Sequence, residues 1–146
     1  MNEWMRRLLA APGAGARRPH DERVAMAALL VLAAKADQSY ADAEAVVVGQ
    51  ALKARYRLSD AEAAALRAQG EAAEEAAMDH YQFTKAIKEA VPHEAREGVA
   101  EALWRVILAD SSRDPHEDAL MRQLIDRLGL SPLESAQARQ RAAAGG

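Results

Sequence analysis

A chain of 146 residues, half of them hydrophobic, with a formal charge of −3, suits one soluble domain, because a chain near 150 residues buries roughly 70% of its unfolded surface. It has no cysteine, which excludes thiol nucleophiles, disulfides and thiolate metal sites, leaves oxygen or imidazole to hold any metal, and fits a reducing cytoplasm. The mildly acidic balance and scattered arginines exclude the concentrated basic face that a nucleic-acid binder needs.

Taken in order, Met1 to Ala10 places Trp4, Met5, Leu8 and Leu9 on one helical face, with Arg6 and Arg7 off it. This short amphipathic helix is expected to dock onto the domain, or else to make the chain's one membrane-surface or partner contact. Ala11 to Pro19, rich in Gly and Pro, reads as a linker. The expected division is therefore residues 1–20 as helix and linker, and residues 21–144 as the domain. Arg17-Arg18 before the apolar run Val24 to Ala34 imitates an export signal, but Asp21, Glu22 and Arg23 stand between them. A run this short is a buried helix rather than a membrane span.

Asp21 can cap a helix to about Lys35 that is apolar nearly all round, the mark of a central buried helix. A polar break, Asp37-Gln38-Ser39-Tyr40, precedes a helix from about Asp42 to Arg55 that should turn Val46, Val47 and Leu52 inward. Ser59 and Glu62 form a capping box for an Ala- and Glu-rich helix to about Ala77, with a break expected at Gly70. Asp79 can cap a helix whose apolar line is Phe83, Ile87 and Val91; Pro92 ends it, and His93 or Glu94 opens a long helix through Val99, Leu103, Val106 and Ile107. No segment reads as a strand.

The second half repeats the first. ALLVLAAKADQSYADAEA at Ala28 to Ala45 and ALWRVILADSSRDPHED at Ala102 to Asp118 each run an apolar helix into an acid, a polar break and a new helix. Asp37 matches Asp110 and Glu44 matches Glu117, with the acids of each pair seven positions apart. Ser131-Pro132-Leu133-Glu134 then repeats the capping box of Ser59, with Pro132 at the first helical position, where a missing amide hydrogen costs nothing. The expectation is an all-α bundle of two pseudo-equivalent halves, with Leu30 and Leu103 buried at matching positions.

The four acids are the candidate site. Asp37 and Asp110 fall at helix C-termini, where a carboxylate meets the negative end of the dipole at a cost of about 0.3–1 kcal/mol. Each lies one short turn from a glutamate, so Asp37, Glu44, Asp110 and Glu117 could gather helix-end carbonyls and carboxylates around magnesium or calcium. The competing reading is capping: Asp114-Pro115-His116-Glu117 is itself a capping box, whereas Ala41 before Glu44 offers no such explanation. Sharper motifs fail. An EF-hand counted from Asp110 puts Pro115 where glycine is required and Met121 where the bidentate glutamate belongs. No histidine follows a glutamate by three residues, so the ferritin-like di-iron pattern is missing; His20, His80, His93 and His116 read as surface or capping residues. Gly13-Ala14-Gly15 follows no strand, and no serine sits in a nucleophile elbow.

AKADQSYADAE, YQFTKAI at Tyr81 to Ile87, the stretch Arg96 to Trp104, and ILADSSRDPHED followed by RLGLS together resemble the TerB-like family, helical domains associated with tellurite resistance, over about Arg23 to Arg141. The family pattern has glycine after each acid; Gln38 and Ser111 stand there in this chain. The resemblance implies a compact bundle of about seven helices with pseudo-twofold halves, an acidic cation-binding surface, no catalytic activity, and a protein partner. A metal-dependent hydrolase using the same four carboxylates is the alternative. The two part on whether the acids line a concave pocket or stand on a displayed face.

Overall fold

The computed structural model describes residues 21–36, 40–109 and 115–145. Among them lie seven α-helices, α1 (Glu22–Ala34), α2 (Asp42–Tyr56), α3 (Asp60–Ala76), α4 (Tyr81–Ala90), α5 (Arg96–Ala109), α6 (Pro115–Arg127) and α7 (Pro132–Gly145), a 3-10 turn (His93–Ala95) before α5, and no strand. The amphipathic segment and linker expected before Asp21 lie outside the described residues.

Local chemistry starts these helices where the sequence suggests. The Asp21 carboxylate accepts from the amides of Arg23 (2.9 Å) and Val24 (3.4 Å). Asp79 accepts from Tyr81 N–H (2.9 Å). Both Ser–Glu boxes close reciprocally: Ser59 Oγ accepts from Glu62 N–H at 3.1 Å and Glu62 from Ser59 N–H at 2.9 Å, with 3.1 and 2.8 Å for Ser131 and Glu134. The amide bonds hold both glutamates below the ordinary carboxylate range. At the other ends, Arg57 in the left-handed region (φ 54°) closes α2, and Gly129 (φ 75°) makes the turn after α6.

The core is built around α1. Every residue from Val24 to Val31 is buried, together with Ala33 and Ala34. Each fully buried Leu or Val side chain contributes about 1.5–3 kcal/mol. Helices α3, α4, α5 and α2 pack around it, α3 most extensively, while α5 packs most extensively on α7. The repeat is thus spatial as well as sequential. Leu30 and Leu103, at matching positions, are both wholly buried.

Two expectations fail in detail. Val46 is exposed; α2 instead turns Val48, Ala51 and Leu52 inward, the i, i+3, i+4 set that shares one helical stripe. Nor does Gly70 break α3, which runs unbroken to Ala76. Gly70 is buried against α1, where an added Cβ would lie 2.4 Å from Ala27 Cβ and 2.7 Å from the Ala27 carbonyl carbon. The glycine is there to let two helix backbones meet. Ala142, its counterpart on α7, is also small and buried.

Gly70→Ala should therefore destabilise the fold by about 1–3 kcal/mol through overpacking, despite the better helix propensity of alanine. Gly49→Ala, in the middle of α2 with only Arg67 Nη1 at 3.6 Å from the new methyl, should stabilise by about 0.5–1 kcal/mol. Urea unfolding midpoints that move in the same direction for both variants would contradict the packing account.

Candidate cation-binding face

The direction of the helices decides whether two acid turns meet. Tyr56 Oη, at the end of α2, donates to Glu22 Oε1 at the start of α1 (2.8 Å). The neighbouring Arg55 Nη1 lies 3.3 Å from where a Cβ on Gly98, in the first turn of α5, would stand. Arg96, which opens α5, donates to Leu128 O beyond the end of α6 (3.3 Å). The starts of α1 and α5 and the ends of α2 and α6 therefore share one end of the bundle. The two central helices run roughly parallel, and their C-termini share the opposite end.

The described residues that flank both acid turns lie toward that opposite end. Val47 and Gln50 of α2 line one concavity of about 650 Å³ with Leu108 and Ala109, the last residues of α5. Ala109 immediately precedes Asp110, and Val47 lies one helical turn beyond Glu44. Asp37 and Asp110, like the capping residue Asp114, lie outside the described residues. Glu44 and Glu117 are described, each in the first turn of its helix, Glu44 half-buried and Glu117 buried at 6% exposure. A carboxylate is kept so far from water only when hydrogen bonds or positive charge offset its desolvation, and Glu117 is not without partners in the fold. No cluster of three or more potential metal-binding side chains occurs among the described residues; two of the four predicted ligands fall outside them.

Contrary to the expectation from Ala41, Glu44 does serve the start of its helix. Ala41 has no side-chain acceptor, yet Glu44 Oε2 accepts from the Ala41 amide at 3.1 Å, which is the glutamate's half of a capping box. That half requires only a backbone N–H, so alanine at the cap does not prevent it. Glu44 Oε1 makes no hydrogen bond among the described residues and retains acceptor capacity.

Sequence reasoning missed the network that holds the first turn. Lys35, just before it, donates to Glu74 Oε1 (2.6 Å), and His80 Nε2 lies 3.3 Å from Glu74 Oε2. Tyr40, just after it, donates to Glu71, which also pairs with Arg67 (3.5 Å). Arg67 Nη1 in turn donates to Ala45 O (3.3 Å). The residues flanking the first acid turn, Lys35 and Tyr40, are thus both bound to α3. Burial and the Glu71 carboxylate push the Tyr40 hydroxyl well above the usual phenol range. The counterparts in the second half are Leu108 and Ala143 for Lys35 and Glu71, so the ties are particular to the first half. Their only sequence signal was the i, i+3 spacing of Glu71 and Glu74 on a helix otherwise rich in alanine.

The architecture is thus an all-α bundle of two pseudo-equivalent halves whose central helices both end at the same end of the bundle. The chain matches the family model described as tellurite resistance protein TerB over residues 23–140, and it belongs to that family. Neither the curated proteins nor the solved structures give a match. No helix among the described residues is long and apolar enough to cross a membrane.

A phenol whose pKa is raised on folding binds its proton more tightly in the native state, so the stability it brings is complete below the unfolded value of about 10 and is lost as pH rises above it. Burial and Glu22 raise Tyr56 in the same direction. Stability should therefore fall above pH 10, and Glu71→Gln should bring Tyr40 ionisation to lower pH. Absorbance at 295 nm of the Tyr56→Phe chain, with and without Glu71→Gln, reads this; identical titrations would contradict the Tyr40–Glu71 contact.

Proposed function

We propose that this chain is a non-enzymatic binding module in which Asp37, Glu44, Asp110 and Glu117 together take a hard divalent cation, calcium or magnesium. In this reading the loaded face is what a protein partner recognises, in a cytoplasmic response to metal or oxyanion stress. The observation that supports it is the concavity lined both by Val47, which follows the first acid turn, and by Ala109, which precedes the second. The donor chemistry fits: four carboxylates supply oxygen alone, the ligand type that hard cations prefer, and the cysteine-free chain offers no thiolate.

The hydrolase reading needs carboxylates around a concave pocket with an open metal position. Among the described residues the concavity at this end is lined by aliphatic side chains, Gln50 and Arg105, a lining suited to contact with a partner's surface. The network on Tyr40 and Lys35 also favours a pre-ordered first turn, which lowers the entropy lost on loading.

Titration with calcium, magnesium and manganese, followed by backbone amide shifts, tests the proposal. Ala36, Tyr40, Ala109 and His116, which flank both turns, should shift together at millimolar metal, and Glu44→Gln should weaken the response at Ala109. Shifts confined to one turn, or none at all, would leave the acids as caps and overturn the shared site.

A further inference from the structure

A second concavity, of about 710 Å³, lies between α5, α6 and α7 and shares no lining residue with the first. Its floor is apolar, made by Trp104, Met121, Ile125 and Leu130, and its charged rim is Asp118, Asp126 and Arg122. Leu130 and Pro132 line it at the end of the bundle at which α1 begins, and Asp118, in the first turn of α6, lines it toward the other end. Trp104 is fixed in it by Nε1–H donating to Ser135 Oγ (3.1 Å) and by the Arg139 guanidinium at 5.0 Å from its ring. The floor is therefore held in place rather than free to collapse.

We propose that this groove is the docking site of the chain's own segment Met1–Ala10. Trp4 with Leu8, and Met5 with Leu9, are pairs four residues apart, and together they give one helical turn-and-a-half of continuous apolar surface. Arg6 and Arg7 flank that surface, and the rim that would receive them carries two carboxylates against one guanidinium. The tether reaches: residues 11–20 span up to about 33–36 Å when extended, and they enter α1 at the end where Leu130 and Pro132 line the groove. The other concavity lies at the far end of the bundle, a further ~20 Å along a helix of α1's length, and is the poorer fit to the tether.

The chain has no native cysteine, so a nitroxide on Ala11→Cys is unique. In the spin-labelled, isotope-labelled full chain, the amides of Arg122, Ile125 and Leu130 should lose intensity, while those of Val47, Gln50 and Leu108 should keep theirs. Leu8→Asp with Leu9→Asp should restore the lost intensity, as should Asp118→Lys with Asp126→Lys. Amide shifts of the buried residues Leu29, Leu30 and Leu103 that stay in place in both double variants show that the bundle remains folded. Broadening centred on Val47 and Leu108, or on no helix, would overturn the proposal. So would broadening that appears equally when the nitroxide and the isotope label are on different molecules, which would make a second copy the occupant. Intensity restored by anionic phosphatidylserine vesicles but unaffected by either pair of substitutions would assign the segment to a membrane surface instead.

Discussion

The rest of the structure depends on the close approach of α1 and α3 at Gly70. A helix buried on all sides can exist only if its neighbours come near enough to leave no void, and near enough here means backbone against backbone at Ala27. With α3 seated in this way, Glu74 and Glu71 arrive beside Lys35 and Tyr40, and the residues flanking the first acid turn are both bound to α3. The same parallel pairing recurs in the second half, where Ala142 takes the small-residue position and α5 lies along α7. Packing deep in the core therefore reaches the surface through two glutamates on one helix.

Parallel central helices are the second constraint. Each half is an antiparallel hairpin, α1 with α2 and α5 with α6, closed at its base by Tyr56–Glu22 in one case and Arg96–Leu128 in the other. Two such hairpins joined head to head would send their turns to opposite ends. Joined side by side, as Arg55 against Gly98 requires, they send both turns the same way. Helix α4 makes this arrangement possible: it carries the chain from the end of α3 back to the base, so α5 can start beside α1. A repeat without such a return helix would have inverted the second half and separated the acid pairs.

Much of this was legible in the residues. Capping boxes are local chemistry, and Ser59, Ser131, Asp21 and Asp79 all behave as their spacing suggests. The repeat announced the two halves, and the all-round apolarity of Val24 to Val31 announced the central helix. What failed was whatever depended on a neighbour. Val46 and Val48 are chemically identical, and only the position of the rest of the bundle decides that Val48 faces it. Gly70 reads as a helix breaker until α1 is placed against it. Glu44 was judged by the side chain at its cap, whereas the bond uses the backbone. The candidate acids were visible, but the common direction of the central helices leading to them was not, because helix polarity is a property of the whole chain path.

That common direction is also what can be measured most directly. The cysteine-free chain allows two pairs of spin labels to be compared, one on Ala41→Cys with Ala109→Cys, the other on Ala41→Cys with Glu94→Cys, all at exposed positions outside the core. Parallel central helices place Ala41 and Ala109 at one end and Glu94 at the other, so the first distance should be clearly the shorter. If the Ala41–Glu94 pair proves the shorter of the two, the central helices are antiparallel, and the two acid turns do not share a face.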